Sequence, residues 1–130
     1  MPVTRSLVAA ALCALPLAAA ACGGGSGSAA SDSPGAKLYR QYSCASCHSL
    51  NGNEGTGPTF KGLAGSTVTL AGGKQVQATP AYLERAITDP DADVTKGFKA
   101  GLMTSSIDGF GLKDKPEDVQ KLVEFIQSVK

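Results

Sequence analysis

The sequence predicts a small all-α fold, three to four short helices with one short β-hairpin inserted among them. Three observations carry that prediction. Apolar residues recur at helical spacing in the C-terminal stretch, where Val119, Leu122, Val123, Ile126 and Val129 form one stripe, and two shorter helical patterns precede it. The segments between are rich in glycine and proline, with strand-like alternation at one place only, around Ala71-Gly72-Gly73. The chain has 130 residues but three Tyr, four Phe and no Trp. That length makes one domain at most, and its own side chains would fill only a thin core, so the helices need a further apolar body to pack around.

The stretch Cys44-Ala45-Ser46-Cys47-His48 supplies a candidate for that body. Two cysteines separated by two residues and followed at once by histidine form the attachment signature of c-type haem. On a helical turn, thiols three residues apart face one side and can meet the two vinyl groups of one porphyrin. The histidine after the second cysteine can then bring its imidazole beneath the ring as an iron ligand. Cys-x-x-Cys alone also fits a thioredoxin-like redox pair or half of a zinc site. A zinc site needs further ligands, yet His48 is the sole histidine and the other cysteines, Cys13 and Cys22, lie near the N-terminus. A thioredoxin-like motif wants a βαβ pattern nearby, and none follows.

The N-terminal segment reads as an export leader over 1–21. Arg5 is its positive region, and Leu7 to Ala21 is an alanine-rich apolar run, short for a membrane span. Ala19-Ala20-Ala21-Cys22 resembles a bacterial lipoprotein box, with Ala19 where leucine is commonest; the resemblance implies lipidation at Cys22. The rival reading is cleavage after small residues near Ala21, which would leave Cys22 as an exposed thiol. Residues 22–34 are rich in Gly, Ser and Ala and read as a flexible, lipid-anchored linker. About twelve such residues reach roughly 20 Å. With Arg5 removed, eleven basic and eleven acidic residues remain, a balance that argues against nucleic-acid binding.

The domain proper is expected over 35–130. Gly35 to Ser49 reads as the first helix, with Leu38, Tyr39 and Tyr42 on one stripe leading into the cysteine motif. Asn51 to Gly65 is loop, broken by Asn-Gly, Glu-Gly and Gly-Pro. Thr67 to Leu70 and Lys74 to Gln77 are the arms of the hairpin. Thr79 caps a helix that carries Pro80 in its first position and runs from Ala81 to Thr88, where Asp89-Pro90 stops it. Asp91 to Lys113 reads mostly as loop and holds Met103, the only methionine besides the initiator. A thioether suits haem iron, whereas the plainer role for a methionine is to fill a gap in a core. Pro116 to Lys130 is the last helix, with Glu117 and Asp118 complementing its dipole.

Gly57-Pro58-Thr59-Phe60-Lys61-Gly62-Leu63-Ala64-Gly65 resembles the loop after the haem motif in class I cytochromes c, and Lys96 to Met103 resembles their axial-methionine loop. Thr104 departs from the pattern, standing where proline is usual. The resemblance implies a class I cytochrome c fold wrapped round one haem c, held through Cys44 and Cys47. It implies His48 and Met103 as iron ligands, a hydrogen bond from the free ring nitrogen of His48 to the Pro58 carbonyl, and Phe60 and Leu63 as pocket walls. It also places Gly35, Tyr39 and Phe125 where the first and last helices cross. The hairpin with Ala81-Tyr82-Leu83, Thr88-Asp89-Pro90 and Lys96-Gly97-Phe98 looks like the cytochrome c domain fused to subunit II of some haem–copper oxidases, here standing alone behind a lipid anchor.

What this implies is an expectation of electron transport without catalysis: iron closed on both axial sides exchanges electrons and binds no substrate. The expected setting is the outer side of the cytoplasmic membrane (periplasm or cell surface). The protein would be a monomer in a respiratory chain, between a donor such as a quinol-oxidising complex and an acceptor such as a terminal oxidase. Two alternatives stand beside it: an electron-transfer subunit of a dehydrogenase or oxidase complex, and a haem-based ligand sensor in which Met103 is labile.

Overall fold

The computed structural model describes residues 31–130. Four α-helices are present there: α1 (Pro34–Gln41), α2 (Pro80–Thr88), α3 (Leu102–Phe110) and α4 (Pro116–Ser128). Two 3₁₀ turns, Cys44–Ser46 and Leu112–Asp114, and an antiparallel pair of strands, β1 (Thr67–Thr69) and β2 (Gln75–Gln77), complete the elements. The leader, Cys13 and Cys22 lie outside the described residues. No helix among the described residues is long and apolar enough to cross a membrane.

The chain frames its core with α1 and α4. Ser33 caps α1 by accepting the Ala36 N–H at 3.1 Å, and Pro34 takes the first position, where its missing N–H costs nothing. Ser33 and Pro34, read from the sequence as the end of the linker, therefore belong to the helix. α4 buries Val119, Leu122, Val123, Phe125 and Ile126, each worth about 1.5–3 kcal/mol on burial. The two helices meet at Gly35: a Cβ there would lie 2.5 Å from Phe125 Cβ and nearer still to the Lys121 carbonyl oxygen. Glycine is what lets the backbones approach this closely. Tyr39 then packs its ring 5.4 Å from Phe125 and 5.8 Å from Phe60.

α2 starts and stops where the sequence places it. Thr79 accepts the Tyr82 N–H at 3.2 Å, and the helix buries Tyr82, Leu83 and Ile87 before Asp89 closes it. The hairpin pairs Val68 with Val76, one residue shorter in each arm than the alternation suggests. Its outer edge is pinned to the strap at 94–96, through Ala71 N–H to the Val94 carbonyl at 2.8 Å and Lys96 N–H to the Thr69 carbonyl at 2.9 Å. A two-stranded ribbon is marginal alone, and these bonds with buried Val68 and Leu70 hold it.

Two expectations need correction. The first helix does not run from Gly35 to Ser49: it stops at Gln41, and Ser43 turns the chain with φ 54° before the 3₁₀ turn begins at Cys44. Asp91 to Lys113 is loop only as far as Gly101 and then holds an element the expectation left out, because Leu102–Phe110 is helical and Leu112–Asp114 forms a 3₁₀ turn. α3 lacks a local capping side chain, and Thr104, Ser105 and Gly109 are weak helix formers, so neither propensity nor a cap announces it.

Candidate haem site

The left-handed Ser43 lifts the chain off the axis of α1 and sets Cys44 to Cys47 into a tight 3₁₀ turn. Its three residues per turn place the positions of the two cysteines almost in line, closer than an α-helix would. Both thiols are half-buried and free of disulfide bonding. Burial pushes the Cys44 thiol up to about 11, so it is a neutral thiol near pH 7. Cys44, Cys47, His48, Pro58, Phe60, Leu63 and Met103 all line one predominantly apolar cleft between the turn that follows α1, the helices α2 and α3, and the loop 49–65.

His48 is fixed from four sides. Its Nδ1 lies 2.8 Å from the Pro58 carbonyl oxygen, which makes Nδ1–H the donor and leaves Nε2 with a lone pair. Its ring stacks on Phe60, with centroids 4.6 Å apart and planes 19° from parallel. Tyr39 donates its phenol proton to the His48 carbonyl oxygen in the protein interior. Finally, Gly57 leaves the room: a Cβ there would lie 2.5 Å from His48 Cε1 and 2.8 Å from Nδ1. Burial holds the imidazole below its ordinary pKa, opposed in part by the Pro58 bond, so the ring is neutral and able to ligate. The loop that carries Gly57 and Pro58 is latched by Thr59, whose hydroxyl lies 2.9 Å from Ser49 Oγ and accepts the Gly52 N–H at 3.2 Å.

Met103 sits in the first turn of α3, half-buried and packed against the core. Leu102 and Phe110, both exposed, flank it at the mouth of the cleft. Sequence reasoning missed Gly57, the Tyr39 hydroxyl and Asp91. Gly57 reads as part of the loop after the motif with no role of its own, Tyr39 as a core aromatic at the helix crossing, and Asp91 only as a loop residue. The partners of the last two lie nine or more residues away.

The donor set fits a haem. Two thiols on one turn, a neutral imidazole with one nitrogen already bonded, and a thioether line the same apolar cleft, which is the chemistry a porphyrin iron and two vinyl groups require. Among the described residues no group of three or more His, Cys, Asp or Glu could hold a metal ion by itself, so the zinc alternative lacks a full ligand set there. Short helices packed round such a cleft, with a Cys-x-x-Cys-His turn in its wall, define a c-type haem protein. Residues 33–130 match the cytochrome c family. The chain is 34% identical over 92 residues to cytochrome c2 iso-1 of Magnetospirillum fulvum, covering 67% of this chain and 91% of that protein. This chain belongs to the cytochrome c family, whose members are electron-transfer proteins rather than enzymes. The family binds one covalent haem c through Cys-x-x-Cys-His, for which Cys44 and Cys47 are spaced here.

Proposed function

We propose that this chain is a tethered, single-haem electron carrier that works outside the cytoplasmic membrane. It would pass electrons between a quinol-oxidising donor and a terminal oxidase in a respiratory chain. The haem c supplies reversible one-electron exchange at its iron. The chain's own residues do the rest. Cys44 and Cys47 would hold the group, and His48 and Met103 would ligate its iron, the thioether favouring a higher potential than a second nitrogen ligand would. Phe60 and Leu63 wall the site against water, and Pro58 keeps the His48 ring in one tautomer and orientation. The observation that supports a closed, carrier-type iron is the presence of His48 and Met103 on the same cleft. Cys22 provides the lipid anchor in this reading, and the exposed Leu102 and Phe110 border the edge at which partners meet the haem.

The deciding measurement is the weak near-infrared sulfur-to-iron band of the oxidised holoprotein. It is expected in the wild type and absent from Met103→Ala, which should also have a lower potential and bind carbon monoxide when reduced. The alternative ligand nearby, Lys99, would first have to lose a proton from an amine with a reference pKa of about 10.4. If the wild type lacks the band and binds carbon monoxide at neutral pH, the sensor reading takes precedence.

A further inference from the structure

Met103 is the second residue of a helix that its own neighbours do not cap. Gly101, the N-cap of α3, has φ 82° and no side chain to offer the first turn. An acceptor for the N–H of Gly101 itself comes from ten residues back. Asp91 Oδ1 accepts the Gly101 N–H at 2.7 Å, and Asp91 Oδ2 accepts the Thr104 hydroxyl proton at 2.8 Å. One carboxylate thus grips the chain two residues before Met103 and one residue after it. The same two donors hold the Asp91 carboxyl below the usual carboxylate range, so it is an ionised acceptor at neutral pH.

The bracket is itself anchored. Ala92 N–H bonds the Asp89 carbonyl at 3.1 Å just past the end of α2, and Asp93 pairs with Arg85 on that helix. Val94 and Lys96 are bonded to the hairpin. Asp91 therefore hangs from the body of the domain and reaches forward to the turn that carries the thioether. Thr104 gains a meaning from this. A proline after the methionine would stiffen the turn through its fixed φ but could not bond to Asp91. Threonine can be held from outside instead.

We propose that Asp91 is a positioning residue for Met103: by bracketing Gly101 and Thr104 it holds the thioether in the cleft and sets how readily an external ligand displaces it. This rests on the reading of Met103 as the axial ligand. Bonds to an ionised acceptor are the stronger kind, and losing them frees the turn rather than the fold.

The test uses the full holoprotein and titrates the oxidised form with imidazole while following the near-infrared band. Imidazole competes with Met103 for one position, so its midpoint falls in proportion to the population with Met103 off the iron. Asp91→Ala should lower the midpoint about tenfold, the size of effect expected for roughly one net hydrogen bond to a charged group. Asp91→Asn keeps an acceptor for Gly101 and should fall between, as should Thr104→Val, which removes one bond and nearly preserves shape. Haem content and helical signal should not change in any of them. A wild-type midpoint in Asp91→Ala overturns the inference and leaves the ligand assignment intact. If Asp91→Ala fails to mature, Thr104→Val decides, and an unshifted midpoint there overturns it equally. A wild type without the band overturns the assignment of Met103, and Asp91's role with it.

Discussion

At the scale of single residues, the iron side of the site is built as much by an absent atom as by the atoms present. The His48 ring occupies the space that a Gly57 side chain would need, and the Cβ contacts of 2.5 Å and 2.8 Å would fall on the ring itself. Gly57→Ala should therefore rotate the imidazole away from the Pro58 carbonyl and off Phe60. Its expected cost is about 1–3 kcal/mol of stability, as for other overpacked sites. The holoprotein should show a high-spin fraction in its visible spectrum that the wild type lacks. A low-spin spectrum unchanged by the substitution would mean that the loop, and not the ring, gives way. Gly57 was legible as a residue of the loop after the motif but not as the one that makes room for the ring, since His48 lies nine positions away.

Between elements, the crossing of α1 and α4 rests on Gly35. Alanine there would gain about 1 kcal/mol of helix propensity, yet its methyl would overlap the backbone at Lys121, which cannot swing aside as a side-chain tip can. Gly35→Ala should thus lose about 2 kcal/mol net in denaturant unfolding. A gain in stability would show that the helices part without penalty. The same pair of helices is joined at its other end by Tyr42, whose hydroxyl donates to Asp118 Oδ2 at 2.6 Å. That bond, with burial behind it, pushes the phenol up to about 12 from its usual 10.0. The folded value exceeds the unfolded one, so the stabilisation is fully present below about pH 10 and is lost as pH rises through about 12. Tyr42→Phe should be less stable by about 1 kcal/mol at pH 7, with the gap to wild type closing through that alkaline window. A gap that stays constant to pH 12 would show that the bond to Asp118 does not hold the phenol proton.

For the whole molecule, the expected division into a leader (1–21), a linker (22–34) and a domain (35–130) would make the proposed carrier a tethered one, and Cys22 is the residue on which that proposal turns. A single acyl chain holds a protein to a membrane only marginally, whereas two or more hold it firmly. Wild-type protein expressed with its leader should partition into the detergent phase, and Cys22→Ser should move it to the aqueous phase with its visible spectrum unchanged. Wild type found wholly in the aqueous phase would remove the anchor and leave a diffusible carrier with the same haem site.

The sequence by itself determined what depends on neighbours in the chain. Cys44, Cys47 and His48 announce their chemistry because attachment needs those residues at that spacing. α2 was legible from its cap, and both α2 and α4 from a first-turn proline and an apolar stripe, signals that all act within a few residues. Only the tertiary structure decided the rest. The first helix ends at Gln41 because Ser43 takes a left-handed turn that no local pattern demands. The turn that carries Met103 is gripped by Asp91, which lies ten or more residues from the Gly101 N–H and the Thr104 hydroxyl it accepts. Hydrogen bonds and close approaches between distant segments form only once the chain has folded, and the periodicity of a sequence carries no record of them.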